Sequence, residues 1–223
     1  MVILIILCIC LSILFTYTDY KKNYKKALIL KSCAILSIAF LSYLCFNINS
    51  NYSKLYFISI FLGIVFGFAG DFLLALGKIY ISKNKICFLG GLSSFLVGHI
   101  FYIKAFTIIN NINKYDFIFA TIYLLIAYYI SKKSKLNFRD LQISVSIYAL
   151  VISFMLGKAT SILFLNNKFL NIVVFIGALL FVISDSFLAF DTFKEKKNRL
   201  LSIYCHSSYF PAQIIFSLSV LFM

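Results

Sequence analysis

Two aspartates lie inside apolar runs long enough to cross a bilayer: Asp71 in GIVFGFAGDFLLAL (63–76) and Asp185 in FVISDSFLAF (181–190). An ionisable side chain at membrane depth costs roughly 2.5–3.5 kcal/mol, so by default it faces a protein interior or an aqueous cavity and has a partner there. Two carboxylates sharing such a cavity divide into a proton donor and an anion, because burial and mutual repulsion favour protonating one of them. That pair can do acid–base chemistry or relay protons. The histidines are His99, in the run 86–109, and His206, in the last run. Counted from the more basic end of each run, Asp71, Asp185 and His206 lie about six residues in, hence roughly 9 Å deep; His99 lies about thirteen residues in, near the midplane.

Other polar residues cluster around these four. Asp71 and Asp185 share D-x-x-L-A and an apolar sixth residue, a hint of internal duplication. Ser184 precedes Asp185, and His206, Tyr209 and Gln213 fall at i, i+3 and i+7 on one stripe of the last run. Pro211, the only proline, sits in the same run. It removes one backbone donor and frees the Ser207 carbonyl, predicting a kink that opens this helix beside the polar layer. Gly63, Gly67 and Gly70, and again Gly91, Ser94 and Gly98, recur at helical spacing and predict close helix–helix approach.

The elements that must position these residues follow from composition. The chain has 223 residues, 62% hydrophobic and 13% charged, with a mean hydropathy of +0.98. A soluble domain carries about 25% charged residues, so this is a polytopic membrane protein. Eight apolar runs predict an all-α membrane protein, a single bundle and one transmembrane domain over 1–223. The spans are expected at about 1–18, 27–46, 55–76, 86–109, 115–130, 141–156, 170–190 and 200–222, the fifth and sixth being short. No basic stretch precedes the first run and four lysines follow it, the reverse of a cleaved signal peptide.

The net charge of +14 is a matter of topology. Counting Lys31 at the edge of the second span, the first, third, fifth and seventh connections hold sixteen Lys and Arg, the others four, and only Lys104 lies within a span. Cytoplasmic loops carry the basic excess, which predicts both termini on the non-cytoplasmic side, in a bacterial cytoplasmic membrane. No basic face interleaved with polar and aromatic groups exists for nucleic acid. The six cysteines have no CxxC or metal-ligand spacing and are expected to be small packing residues.

GDFLLAL, GLSSFLVGHIFYIKAF, GALLFVISDSFLAFDTF and YFPAQ, in that order across eight runs, resemble the YhhN family of membrane proteins, whose animal members are lysoplasmalogenases. The motifs cover about residues 55–223, and the first two spans match by topology. The resemblance implies that Asp71, His99, Ser184, Asp185, Tyr209 and Gln213 occupy motif positions; His206 and Pro211 are not general features of the family. It implies hydrolysis of a lysophospholipid or other ether lipid at a vinyl ether, with membrane lipids as surroundings. This chemistry needs an acid to protonate carbon and a second group for the cation or the water. Asp71 and Asp185 are the expected pair, with His99 as a third catalytic residue and His206 in support. Lys78, Lys83 or Lys194 would meet the substrate phosphate.

No cofactor is implied, although a zinc site built from His99, His206 and one aspartate is an alternative. No G-x-S-x-G elbow is present. The competing class is a small proton-coupled transporter using the same aspartates.

Overall fold

A computed structural model describes residues 1–49, 53–165, 168–195 and 198–223. Part of the polar connection 47–53, and Lys196 and Lys197 of the basic seventh connection, lie outside these residues. Eight α-helices dominate: α1 (Val2–Tyr20), α2 (Tyr24–Ile48), α3 (Lys54–Ile79), α4 (Asn84–Ile109), α5 (Lys114–Lys133), α6 (Gln142–Leu165), α7 (Phe169–Phe193) and α8 (Leu200–Ser219). The described residues contain no strand. Apolar segments in lipid must satisfy their backbone groups internally, and helices do so. Several starts are capped: Asn23 accepts from Lys26 N, Ser53 from Tyr56 N, and Asn113 with Asp116 forms a capping box.

Six of these helices are long and apolar enough to cross a membrane by length and composition. The other two, α5 and α8, have 20 residues each, about 30 Å, which matches the hydrocarbon thickness, but they are more polar. For α8 the reason is its position. It packs against α1, α2, α3 and α7, so it can carry His206, Tyr209 and Gln213 on buried faces. The helix is continuous through Pro211, and that proline is exposed on the outer face.

The helices alternate in direction. Asp19 at the end of α1, Lys78 at the end of α3 and Ser202 at the start of α8 meet at one end of the bundle. There Lys85 pairs with Asp140, and Asn137 N donates to Phe193 O at 3.1 Å. At the opposite end, which holds both termini, Asn49 donates to Val220 O at 3.0 Å and Phe169 packs on Phe222.

The fifth and sixth helices are longer than their apolar runs. α6 extends through Lys158, which the charge pattern assigned to a connection. The side chain is fully buried, paired with Asp116 of α5 at 3.0 Å and donating to Asn111 O at 2.8 Å. Beside it, a Cβ on Gly157 would stand 2.6 Å from Ala120 N and 2.7 Å from Asp116 O. The α5–α6 backbones come this close only because position 157 is glycine. Removing one member of a buried pair strands the other, at a cost of about 3–5 kcal/mol. Lys158→Met is therefore expected to lower the melting temperature in detergent sharply. Adding Asp116→Asn, which keeps the cap acceptor, should recover most of the loss.

Candidate functional site

Asp71 projects from α3 and is 3% exposed. Its Oδ1 meets the Lys31 ammonium of α2 at 2.5 Å. That ammonium also lies 5.0 Å from the ring centre of Phe15 in α1 and 5.7 Å from that of Tyr209 in α8, so four helices enclose one cation. Tyr209 is the neighbouring phenol on the carboxylate, whose Oδ2 makes no hydrogen bond of good geometry among the described residues. Behind Tyr209, Gln213 Nε2 donates to its hydroxyl at 3.1 Å, and Tyr102 donates to Gln213 Oε1 at 2.6 Å. Gly67 makes room for this chain, because a Cβ there would lie 2.9 Å from Gln213 Nε2 and 3.3 Å from the Tyr209 hydroxyl.

Asp185, on α7, has different partners. Its Oδ2 accepts a short hydrogen bond from the Tyr148 hydroxyl of α6, and His99 Nε2 of α4 stands 3.4 Å from the same oxygen. His99 Nε2 is 2.8 Å from the Tyr148 hydroxyl. Since Tyr148 donates to the carboxylate, the network assigns the proton on Nε2 to the histidine. A chain His99 to Tyr148 to Asp185 results, with His99 1% exposed and its Nδ1 buried without a hydrogen bond among the described residues.

The Phe181 ring lies between the Asp71 and Asp185 units, packing edge-on to both His99 and Tyr209. The two aspartates thus share an environment while each has its own partners, and their matching D-x-x-L-A segments do not give matching contacts. Ser184 is buried, its hydroxyl 3.4 Å from Cys205 Sγ. Its neighbour Ser186 bonds back to Val182 O. All six cysteines are free, with Cys8, Cys45 and Cys205 buried.

His206 belongs to a second cluster. Its Nε2 is 3.2 Å from the Ser202 hydroxyl and 3.6 Å from Asp19 Oδ2, and Ser202 donates to that same oxygen at 2.9 Å. Lys78 closes the group on Asp19 at 2.8 and 2.9 Å. The depth count aligned His206 with the aspartates and put His99 deeper; in the structure His99 meets Asp185, and His206 meets Asp19. The two histidines face different carboxylates, whereas the zinc alternative needs both on one ion. Among the described residues no three of His, Cys, Asp and Glu are grouped to hold a metal.

A cavity of about 290 Å³ opens between the two clusters, lined by Phe15, Asp19, Leu28, Lys31, Leu74, Lys78, Leu188, Asp191 and His206 among others. Lys31 is thus shared between the cavity wall and Asp71. Sequence reading placed Lys31 at the edge of a loop and missed it. It falls on the stripe Ala27, Lys31, Ala34, Ile38, Ser42 and Cys45, all buried, and that helical spacing was the available signal. Tyr148 and Asp19 were also missed. One of fifteen tyrosines in an apolar run carries no distinguishing pattern.

Apolar helices enclosing cross-helix ion pairs define a multi-pass membrane protein with an intramembrane polar site. The profile of the YhhN family matches residues 26–220, and the chain belongs to that family. The match takes in α2 and Lys31, ahead of the motifs that carry the resemblance. Comparison with curated proteins and with solved structures gave no match.

Lys31→Met is expected to strand the buried Asp71 charge and destabilise the protein by about 3–5 kcal/mol. Lys31→Met with Asp71→Asn should melt within a few degrees of wild type in detergent. Equal loss in the single and double variants would show that the pair is not the source of the effect.

Proposed function

We propose that the protein is an intramembrane hydrolase resembling lysoplasmalogenases, cleaving the vinyl ether of a single-chain ether phospholipid. The observation that carries this reading is the seat of Lys31, whose ammonium lines an amphiphilic cavity and pairs with a buried carboxylate. A ligand in the cavity then lies next to a polar unit that extends into the bundle interior.

In this reading Asp185 is the acid. Its side chain is the more exposed of the two, 12% against 4% for the Asp71 side chain, and a histidine and a tyrosine stand ready to pass it a proton. Its proton goes to the β-carbon of the vinyl ether, and the double-bond electrons form the new C–H bond. The oxygen lone pair completes an oxocarbenium ion. Asp71, its charge matched by Lys31, faces the cation through Oδ2, which makes no hydrogen bond of good geometry among the described residues, and orients water. Water adds to the oxocarbenium carbon and returns a proton to the site. The hemiacetal then collapses to a fatty aldehyde and the glycerophospho-alcohol, with one water consumed. Glycosidases divide two carboxylates similarly around an oxocarbenium-like transition state. We take the basic end as cytoplasmic, with the headgroup entering there.

The transport reading draws on the same His99–Tyr148–Asp185 chain as a proton relay. Assay separates the two. Purified protein in detergent, given 1-alkenyl-lysophosphatidylethanolamine, is expected to release fatty aldehyde. Asp71→Asn or Asp185→Asn should lower the rate by about a hundredfold or more, and Tyr148→Phe by less. Wild type that releases no aldehyde, while proteoliposomes show proton-coupled flux, would favour transport.

A further inference from the structure

Three buried polar side chains, Tyr102, Gln213 and Tyr209, form a chain that ends at Asp71 and that the chemistry at Asp185 leaves unused. They occupy the slot left by the glycines ahead of Asp71: a Cβ on Gly63 would collide with the Tyr102 ring, and one on Gly67 would stand 2.9 Å from Gln213 Nε2. The direction of the chain is set at its remote end. The Tyr102 ring lies against Phe181 and Phe216, with centres 6.0 and 4.5 Å away, and its hydroxyl has Gln213 as its one hydrogen-bond partner among the described residues. A buried phenol with one partner places its proton there, because an unmade donor bond in apolar surroundings is costly. Gln213 must therefore present Oε1 to Tyr102, at 2.6 Å, and Nε2 to Tyr209, at 3.1 Å. An amide can be turned round, and the network decides which end faces which partner. With Gln213 donating to its oxygen, Tyr209 keeps its own proton for the neighbouring Asp71 carboxylate, whose Oδ2 makes no hydrogen bond of good geometry among the described residues. Turned round, the amide oxygen would compete for that proton, and Asp71 would lose it.

We propose that Tyr102 is a positioning residue for Asp71: acting through Gln213, it aims the Tyr209 hydroxyl at the carboxylate and so holds Asp71 as the anion of the aspartate pair. A hydrogen bond donated to a carboxylate favours its charged form. The part that this anion plays in catalysis rests on the proposed function; the direction of the chain does not.

Infrared difference spectra at neutral pH, each protein minus its own Asp71→Asn counterpart, isolate the Asp71 carboxylate in the purified full chain in detergent. Tyr209→Phe is expected to shift the carboxylate band, since the anion loses a charge-assisted donor. Tyr102→Phe removes a hydroxyl that bonds Gln213 and not Asp71, and it is expected to shift the band the same way. Adding Gln213→Met to Tyr102→Phe takes away the competing amide oxygen and should return the band to its wild-type position. A merely structural role for Tyr102 predicts no such recovery. Both variants keep the buried volume and should elute as wild type on size exclusion. In aldehyde release, kcat should fall about tenfold in Tyr102→Phe with KM unchanged, the scale of one hydrogen bond to a charged group, and recover in the double variant. A Tyr102→Phe band at the wild-type position overturns the proposal, as does a shifted band that Gln213→Met leaves where it is. An uncharged carboxyl band for Asp71 in wild type overturns the anion assignment. The expected band shifts in a protein that releases no aldehyde would keep the positioning chain and sink the hydrolase reading. Aldehyde release without any band shift would do the opposite.

Discussion

A carboxylate buried among apolar helices must have its charge matched, and here a lysine from a second helix matches it. The Lys31–Asp71 pair fixes where α2 meets α3 and brings Phe15 and Tyr209 to the same cation. Tyr209 in turn is held by Gln213 and Tyr102, so the order of one ion pair extends into α4 and α8. The pair contributes less to net stability than its distance implies, since both charges are desolvated to form it. It also bears on packing, because side chains from α1, α2, α3 and α8 meet around one cation.

The second carboxylate is treated differently. Asp185 meets a phenol and an imidazole, groups that can exchange protons, where Asp71 meets a fixed cation. This asymmetry gives the two aspartates distinct surroundings without any difference in residue type. It also explains why the site draws on six helices: each carboxylate needs partners that its own helix cannot supply. Close approach makes that possible, through Gly67 against Gln213 and Tyr209 and through Gly98 against the Gly63 carbonyl.

The helical bundle was legible because apolar runs of about 20 residues have one structural solution in lipid. The two aspartates, His99, Tyr209 and Gln213 were legible for a related reason, being polar residues in an apolar background. Lys31 and Lys158 were not, because a lysine near the end of an apolar run has the same sequence signature whether it snorkels to a loop or turns inward to a carboxylate. The partner of His206, Asp19, is set by where α8 meets α1, which neither run records in its own sequence. Tyr148 had no local signal at all. Its role exists only where α6 crosses α4 and α7.

The central claim is that this polar site transfers a proton to carbon. The most direct measurement is hydrolysis of a 1-alkenyl-lysophospholipid in heavy water, with the aldehyde trapped as it forms and analysed by mass spectrometry. The account predicts one deuterium on the carbon next to the aldehyde, placed there at a rate that falls with Asp185→Asn. Aldehyde carrying no deuterium, or labelling indifferent to Asp185, would contradict it.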